Sequence, residues 1–187
     1  MDENETEDEV LMVQIAQGDK LAFSRFLDRH LAAAVNFAMG YIKHPADAED
    51  ITQEAFTRVW TKASSWQDVG ASPKAWLYRI TYHLCIDEIR RRKPIDSADE
   101  VELIADSKSK PDAALLRKQD SAQLATALDA LPERQRTAIV LCALRGFSNK
   151  DAALTMDSSV DALESLLSRG RRRLRELMLD PNGVNVS

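Results

Sequence analysis

Arginine is concentrated at two places in this chain, and both suit the binding of a phosphate backbone. Residues 90–93 read RRRK, and five of the seven residues 169–175 are arginine. The formal net charge is −5, with six carboxylates in residues 2–9, but phosphate binding depends on a local basic patch more than on the total charge. The two clusters therefore predict a nucleic-acid partner.

Side chains that could support catalysis or metal binding do not cluster in the sequence. His83 has no acid or nucleophile arranged around it, and Cys85 and Cys142 stand far apart, without a CxxC motif or a nearby histidine pair. Both cysteines are predicted to be buried, reduced thiols. We therefore expect no enzyme activity, no metal, no cofactor and no small-molecule substrate.

The composition predicts an all-α protein. Only six glycines and six prolines occur in 187 residues, and helix-forming residues dominate. The longest apolar runs, such as AIVLCAL at 138–144, fall far short of the roughly 18 residues that cross a bilayer. The first ten residues have no features of a secretory signal. We expect a cytoplasmic protein without membrane insertion.

Changes in composition divide the chain into four segments. Residues 1–9 predict a disordered acidic tail, which we hypothesise shields basic residues of the free protein. Residues 10–93 and 114–180 predict two small helical domains. The polar, proline-bounded residues 94–113 predict a flexible linker between them.

The first domain is predicted to contain four helices, at 10–17, 21–41, 46–63 and 73–93. The third helix is apolar on one face, and the opposite face carries Asp50, Gln53, Glu54 and Thr57. Taken alone, this polar face is most simply explained as solvated. The fourth helix is apolar almost all round, apart from one stripe formed by Arg79, His83, Arg90 and Lys93.

The second domain is predicted to contain helices at 115–131, 132–145 and 148–156, followed by a long helix from 160. Residues 148–151 match a capping box, and the turn MDSS separates the last two helices. A short helix, a tight polar turn and a longer basic helix predict a helix-turn-helix.

Three segments carry a family resemblance: DAEDITQEAF (47–56), WLYRITYHLCIDEIRRRK (76–93) and LDALPERQRTAIVLCALRGFSNKDAALTM (128–156). In this order, with an acidic linker before the third, they resemble the signature regions of bacterial sigma-70 family factors, specifically the extracytoplasmic-function (ECF) group. The resemblance implies a protein that binds core RNA polymerase and promoter DNA. It also implies a stress or envelope response under the control of an anti-sigma factor.

The resemblance assigns roles to the first domain, which would correspond to sigma region 2. The polar face of the third helix would dock on the polymerase clamp. The loop 64–72 would capture a flipped base of the minus-ten element with Trp66, Gln67 and Asp68, while the stripe on the fourth helix tracks phosphates. Trp76 and Tyr82 are predicted to be core residues instead.

The second domain would correspond to sigma region 4, which reads the minus-thirty-five element. Ser158 and Ser159 would hold a phosphate at the helix start, Glu164 and Ser165 would meet base edges, and Arg169 and Arg172 would contact the flanking backbone. Where family members commonly carry threonine and a basic residue, this chain has Ala162, Glu164 and Leu166. Asp161 is better explained as complementing the helix dipole.

Two other functions remain open from the sequence alone. A stand-alone helix-turn-helix regulator would bind an operator tightly without polymerase. A helical adaptor with merely solvated arginines would bind no DNA at all.

Overall fold

The structure, a computed structural model, describes residues 3–66, 70–92 and 123–179. In chain order the helices are α1 (Glu3–Ala16), α2 (Lys20–Met39), α3 (Pro45–Lys62), α4 (Pro73–Arg92), α5 (123–129), α6 (Glu133–Ile139), α7 (Asn149–Thr155) and α8 (Val160–Leu179). A 3-10 turn, Ala63–Ser65, follows α3, and a π-helical turn, Val140–Leu144, extends α6. These residues contain no strand, so the predicted all-α fold is confirmed.

The chain forms two compact units. Helices α1–α4 and residues 153–158 belong to the first, whereas α5, α6, residues 149–152 and α8 belong to the second. The proposed linker at 94–113 lies outside the described residues, and the domain limits at 10–93 and 114–180 stay predictions. Among the helices that the structure describes, none is long and apolar enough to cross a membrane.

Helix starts in the first unit follow the signals in the sequence. Asp19 caps α2, because its Oδ1 accepts hydrogen bonds from the backbone N–H groups of Leu21 at 2.8 Å and Ala22 at 3.1 Å. Proline is the first residue of both α3 and α4. Ser72 Oγ accepts a hydrogen bond from Ala75 N at 3.2 Å and caps α4, which begins at the predicted position.

An aromatic core holds the four helices of the first unit together. Phe26, Phe37 and Tyr78 are almost fully buried, and the rings of Phe37 and Tyr78 lie 4.8 Å apart between centroids. Trp76 and Tyr82 are buried as predicted. Because the apolar face of α3 packs into this core, its polar face is directed to solvent.

The N-terminal acidic segment differs from its prediction, since α1 begins at Glu3 and not at Val10. Asp8 is only 3% exposed and binds two residues of α2: its Oδ1 accepts from Arg29 at 2.6 Å, and its Oδ2 lies 2.7 Å from His30 Nε2. Glu7 also accepts from Arg29, at 2.6 Å. The predicted disorder of residues 1–9 is therefore wrong from Glu3 onward, because Arg29 and His30 of α2 bind the carboxylates of Glu7 and Asp8.

Helices α6 and α8 make the main packing contact of the second unit. They approach closely at Gly170, where a Cβ atom would lie 2.9 Å from Ile139 Cδ1 and 3.3 Å from the carbonyl oxygen of Gln135. Leu163, Leu167 and Leu177 line the same buried stripe of α8. The close approach favours glycine at position 170, because a Cβ atom there would displace the end of the Ile139 side chain.

The start of α7 confirms the predicted capping box. Ser148 Oγ accepts from Asp151 N at 3.1 Å and donates to Asp151 Oδ2 at 3.0 Å. A turn then leads from α7 to α8, and Asp157 within it has a positive φ of 46°. The sequence of short helix, tight turn and long helix agrees with the predicted helix-turn-helix.

Candidate partner and nucleic-acid interfaces

The predicted polymerase-binding residues form a solvent-facing surface on α3. Asp50, Gln53, Glu54 and Thr57 are all exposed. Glu54 pairs with Arg58 at 2.8 Å, and Thr57 Oγ1 donates to the Gln53 carbonyl at 2.9 Å. These contacts are local to the helix, so the surface presents a carboxylate, an amide and a hydroxyl to any partner.

An apolar groove of about 500 Å³ runs beside this surface, between α2 and α3. Phe23, Leu27, Leu31 and Val35 form its α2 wall. Gln53 and Thr57 stand on the α3 wall, so two of the predicted contact residues lie next to an apolar depression. The sequence held a signal for it, because the four α2 residues recur every fourth position along one face of the helix.

Two of the four predicted phosphate-binding residues on α4 are engaged by a carboxylate. Asp157 Oδ1 pairs with Arg79 NH2 and its Oδ2 pairs with His83 Nε2, each at 2.6 Å. Thr155 Oγ1 donates to the carbonyl of Ala75 at 3.3 Å and holds the same turn against α4. Phosphate would therefore compete with Asp157 for the Arg79 NH2 group and the His83 Nε2 atom.

The basic end of α4 is also partly compensated. Arg91 and Arg92 each bind Glu88 at 2.6 Å, and Arg92 binds Asp47 at 2.6 Å. Hydrogen bonds from Arg91 and Arg92 lower the pKa of Glu88, and the hydrogen bond from Arg92 lowers the pKa of Asp47. Arg90 is exposed, and none of the carboxylates in the described ranges pairs with it.

The loop predicted to capture a base is only partly described. Trp66 is half-buried, and its indole Nε1 donates to the carbonyl of Ala71 at 2.8 Å. Gln67 and Asp68 lie outside the described residues, as does Lys93 at the end of the α4 stripe. The structure therefore places Trp66 at the base of this loop, with its N–H already used.

The N-terminal half of α8 holds the predicted readers of bases. Ser159 Oγ accepts from Ala162 N at 3.2 Å, so its hydroxyl caps the helix, and Ser158 is half-buried. Glu164 and Ser165 are both exposed. Glu164 Oε1 accepts a hydrogen bond from Asn149 Nδ2 at 3.1 Å, a contact that the sequence did not predict.

The C-terminal half of α8 presents most of its positive charge to solvent. Arg169 and Arg172 are exposed, and the hydrogen bond from Arg169 Nε to the Ser165 carbonyl at 3.2 Å leaves its charge uncompensated. Arg173 pairs with Glu176 at 3.3 Å. The predicted backbone contacts, Arg169 and Arg172, thus lie on the same helix as Glu164 and Ser165 with their cations available.

Comparison with known proteins identifies the class to which these two helical units belong. Residues 26–95 match Sigma-70 region 2, and residues 121–174 match Sigma-70 region 4. The ECF RNA polymerase sigma factor SigF of Caulobacter vibrioides is 30% identical over 98% of this chain and 100% of its own length. The chain is a transcription factor of the sigma class, and it belongs to the ECF group of the sigma-70 family.

Two further relatives extend the likeness. ECF RNA polymerase sigma factor SigE of Mycolicibacterium smegmatis is 30% identical over 87% of this chain, which spans 65% of that relative's length. The solved structure of CnrH in complex with the cytosolic domain of CnrY superposes with a TM-score of 0.68 and 26% identity, covering 95% of this chain and 99% of that one. The whole length of the chain, not only its helix-turn-helix, therefore resembles sigma factors.

Proposed function

We propose that the protein acts as an ECF sigma factor: it binds core RNA polymerase in the cytoplasm, directs it to promoters and helps to open the duplex. The observation that carries this proposal is the presence of both sigma regions, in order, on one chain that aligns end to end with an ECF sigma factor. The protein itself performs no catalysis in this scheme. The polymerase supplies the chemistry, and the sigma factor supplies the choice of promoter.

The polar face of α3 and the adjacent groove form the proposed polymerase contact. A partner helix with basic and apolar residues would pair with Asp50 and Glu54 and insert side chains between Phe23 and Leu31. Gln53 and Thr57 would donate and accept hydrogen bonds at the boundary between the charged face of α3 and the apolar groove. A mixed surface of this kind favours one orientation of the partner, because charge and shape must match together.

The proposed promoter contacts divide between α4 and α8. Trp66, Gln67 and Asp68 would capture an unpaired base of the minus-ten element, and Arg79, His83, Arg90 and Lys93 would follow its phosphates. Ser158 and Ser159, just before α8, and Arg169 and Arg172 on α8 would hold the backbone of the minus-thirty-five element, while Glu164 and Ser165 meet base edges. The pairing of Asp157 with Arg79 and His83 implies that minus-ten binding includes the loss of this ion pair.

An anti-sigma factor is the proposed regulator, and a stress or envelope signal the proposed inducer. The support is kinship, since the similar sigma factor RpoE of Bartonella quintana was solved in complex with the anti-sigma factor NepR. The α2–α3 groove is exposed apolar surface that such an inhibitor would cover in competition with polymerase.

Run-off transcription tests the proposed function directly. With purified core polymerase and a genomic promoter library, the protein should initiate at a defined set of promoters. Gel shifts with and without polymerase separate the alternatives: binding only with polymerase supports a sigma factor, and tight binding by the free protein supports a stand-alone regulator. Absence of binding in both cases would support an adaptor.

A charge reversal tests the polymerase contact separately. Glu54→Lys on α3 should weaken association with core polymerase in the absence of DNA. Asp87→Lys is the matched control, because Asp87 is an equally exposed carboxylate of the same unit on α4. Equal affinities of the two variants for polymerase would show that the α3 face is only a solvated surface.

A further inference from the structure

Asn149, the first residue of α7, is hydrogen-bonded on both sides of its amide. Its Nδ2 donates to Glu164 Oε1 at 3.1 Å, and its Oδ1 accepts from the Cys142 thiol at 3.9 Å. Cys142 reaches this position from the π-helical turn at the end of α6. The thiol lies at the carbonyl side of the amide and Glu164 at its amino side, so in this amide orientation each contact joins a donor to an acceptor.

Glu164 differs from the other paired glutamates in what holds it. Glu54, Glu88 and Glu176 each bind an arginine, so their charge is compensated. Glu164 is held by a neutral amide, and in the described ranges no cation pairs with it. Oε1 of Glu164 is therefore held by Asn149 and not by an ion pair, and this hydrogen bond restricts rotation of the carboxylate group.

This arrangement leaves Glu164 Oε2 as the atom that can meet DNA. An ionised carboxylate only accepts hydrogen bonds, so it favours bases that offer an amino group in the major groove, namely cytosine through N4 and adenine through N6. Guanine and thymine present only acceptors in the major groove, so they would place an acceptor against the negatively charged carboxylate. This repulsion disfavours them at that position. A single oriented oxygen reads one such group.

We infer that Asn149 is a positioning residue for promoter recognition: it fixes the Glu164 carboxylate so that Oε2 selects an amino-bearing base in the minus-thirty-five element. The inference rests on the proposed function of α8 in reading that element. Asn149 contributes through Glu164 and not through the base. Asn149 thereby contributes to specificity for a base edge that carries a hydrogen-bond donor.

Asn149 donates the hydrogen bond and Glu164 accepts it, so the inference can be tested by exchanging the amide and the carboxylate between the two positions. In Glu164→Gln, the Asn149 donor should retain the carbonyl oxygen of the new amide, which leaves its NH₂ facing the base. The preference for cytosine over guanine should then reverse, because cytosine presents only a donor in the major groove and guanine presents acceptors, whereas adenine, which presents N7 as well as N6, should still be accepted. In the double variant Asn149→Asp with Glu164→Gln, the carboxylate introduced on α7 accepts from that NH₂, the carbonyl faces the base, and the original preference should return.

Promoter libraries with each minus-thirty-five position randomised in turn give the measurement, using the full chain with core polymerase. The native protein should prefer cytosine over guanine about 5- to 150-fold at one position, as expected for about 1–3 kcal/mol of base discrimination. Glu164→Gln should reverse this ratio, and the double variant should restore it. Glu176→Gln, the same change near the other end of α8, is the control and should leave the ratio unaltered.

The outcomes separate this inference from the proposed function. Failure of the native protein to initiate at any promoter would overturn the proposed function itself. Normal initiation with an unchanged preference in Glu164→Gln would overturn the reading role of Glu164. Reversal in Glu164→Gln without recovery in the double variant would overturn the positioning role of Asn149, since a purely structural contact has no reason to restore a base preference.

Discussion

Removing the buried carboxylate that joins α1 to α2 should destabilise the first unit far more than removing its exposed neighbour. Glu7 and Asp8 each bind the Arg29 guanidinium at 2.6 Å, but the Glu7 side chain is 63% exposed and the Asp8 side chain 4%. Asp8 also holds His30 at 2.7 Å. Glu7→Gln and Asp8→Asn therefore each remove one carboxylate charge that pairs with the Arg29 guanidinium. The two positions differ mainly in how deeply the carboxylate is buried.

The expected magnitudes follow from that difference. A hydrogen bond to a charged group contributes about 1.5–3 kcal/mol, and Asp8 makes two such contacts. Because Arg29 is one-third exposed and regains water in the variant, we expect Asp8→Asn to lower the free energy of unfolding by about 2–4 kcal/mol. Glu7→Gln should cost about 0–1 kcal/mol, as for other exposed ion pairs.

Urea unfolding followed by circular dichroism measures both variants. With a denaturant dependence of about 2 kcal/mol per M, the midpoint of Asp8→Asn should fall by about 1–2 M and that of Glu7→Gln by much less. The double variant Asp8→Asn with His30→Gln should lose less stability than the sum of the two single changes. Both single changes break the same contact between Asp8 and His30, and that contact can be lost only once. Equal, small losses in Glu7→Gln and Asp8→Asn would refute the argument from burial.

Three further predictions concern other parts of the chain. Gly170→Ala should lower the stability of the second unit by about 1–2 kcal/mol, because the new methyl group meets Ile139, and Ile139→Val in the same chain should recover part of the loss in a thermal unfolding assay. Asp157→Asn should raise the low-salt affinity of the free protein for DNA and steepen its salt dependence by about one to two counterions, because Arg79 and His83 become available; an unchanged salt slope would contradict this. Burial raises the pKa of the Cys85 thiol to about 12, so at pH 8 a thiol reagent should modify the folded protein at Cys142 only and reach both cysteines after denaturation.

Local sequence signals predicted most of the fold. The cap at Ser148 lies where the sequence indicated, because capping depends on a side chain and backbone groups only a few residues away. The prediction of a disordered tail was wrong because the contacts that order this segment come from residues distant in sequence. Composition indicates that an acidic segment repels itself, but Arg29 and His30, which compensate it, lie about twenty residues further along the chain.

The sequence predicted which residues of the candidate interfaces are exposed. It did not predict which side chains they contact. Helical periodicity placed Asp50, Gln53, Glu54 and Thr57 on the exposed face of α3, and the structure agrees. Periodicity gives no partner for a side chain whose neighbour comes from another helix. The contact of Asn149 with Glu164 and the pairing of Asp157 with Arg79 both join residues distant in sequence, so only the folded chain reveals them.

The two arginine clusters that first indicated nucleic-acid binding differ in how much charge they offer. At the end of α4, Arg91 and Arg92 are compensated by Glu88 and Asp47, which leaves Arg90 as the unpaired arginine among the described residues of that cluster. On α8, only Arg173 of the five arginines has a carboxylate partner within the part of the chain that the structure describes. A count of arginines would rank the clusters as similar, whereas the uncompensated charge lies mostly on α8. The salt dependence of DNA binding by the free protein should therefore originate mainly from α8, and the helix that carries the proposed base-reading carboxylate is also the one that supplies most of the phosphate affinity.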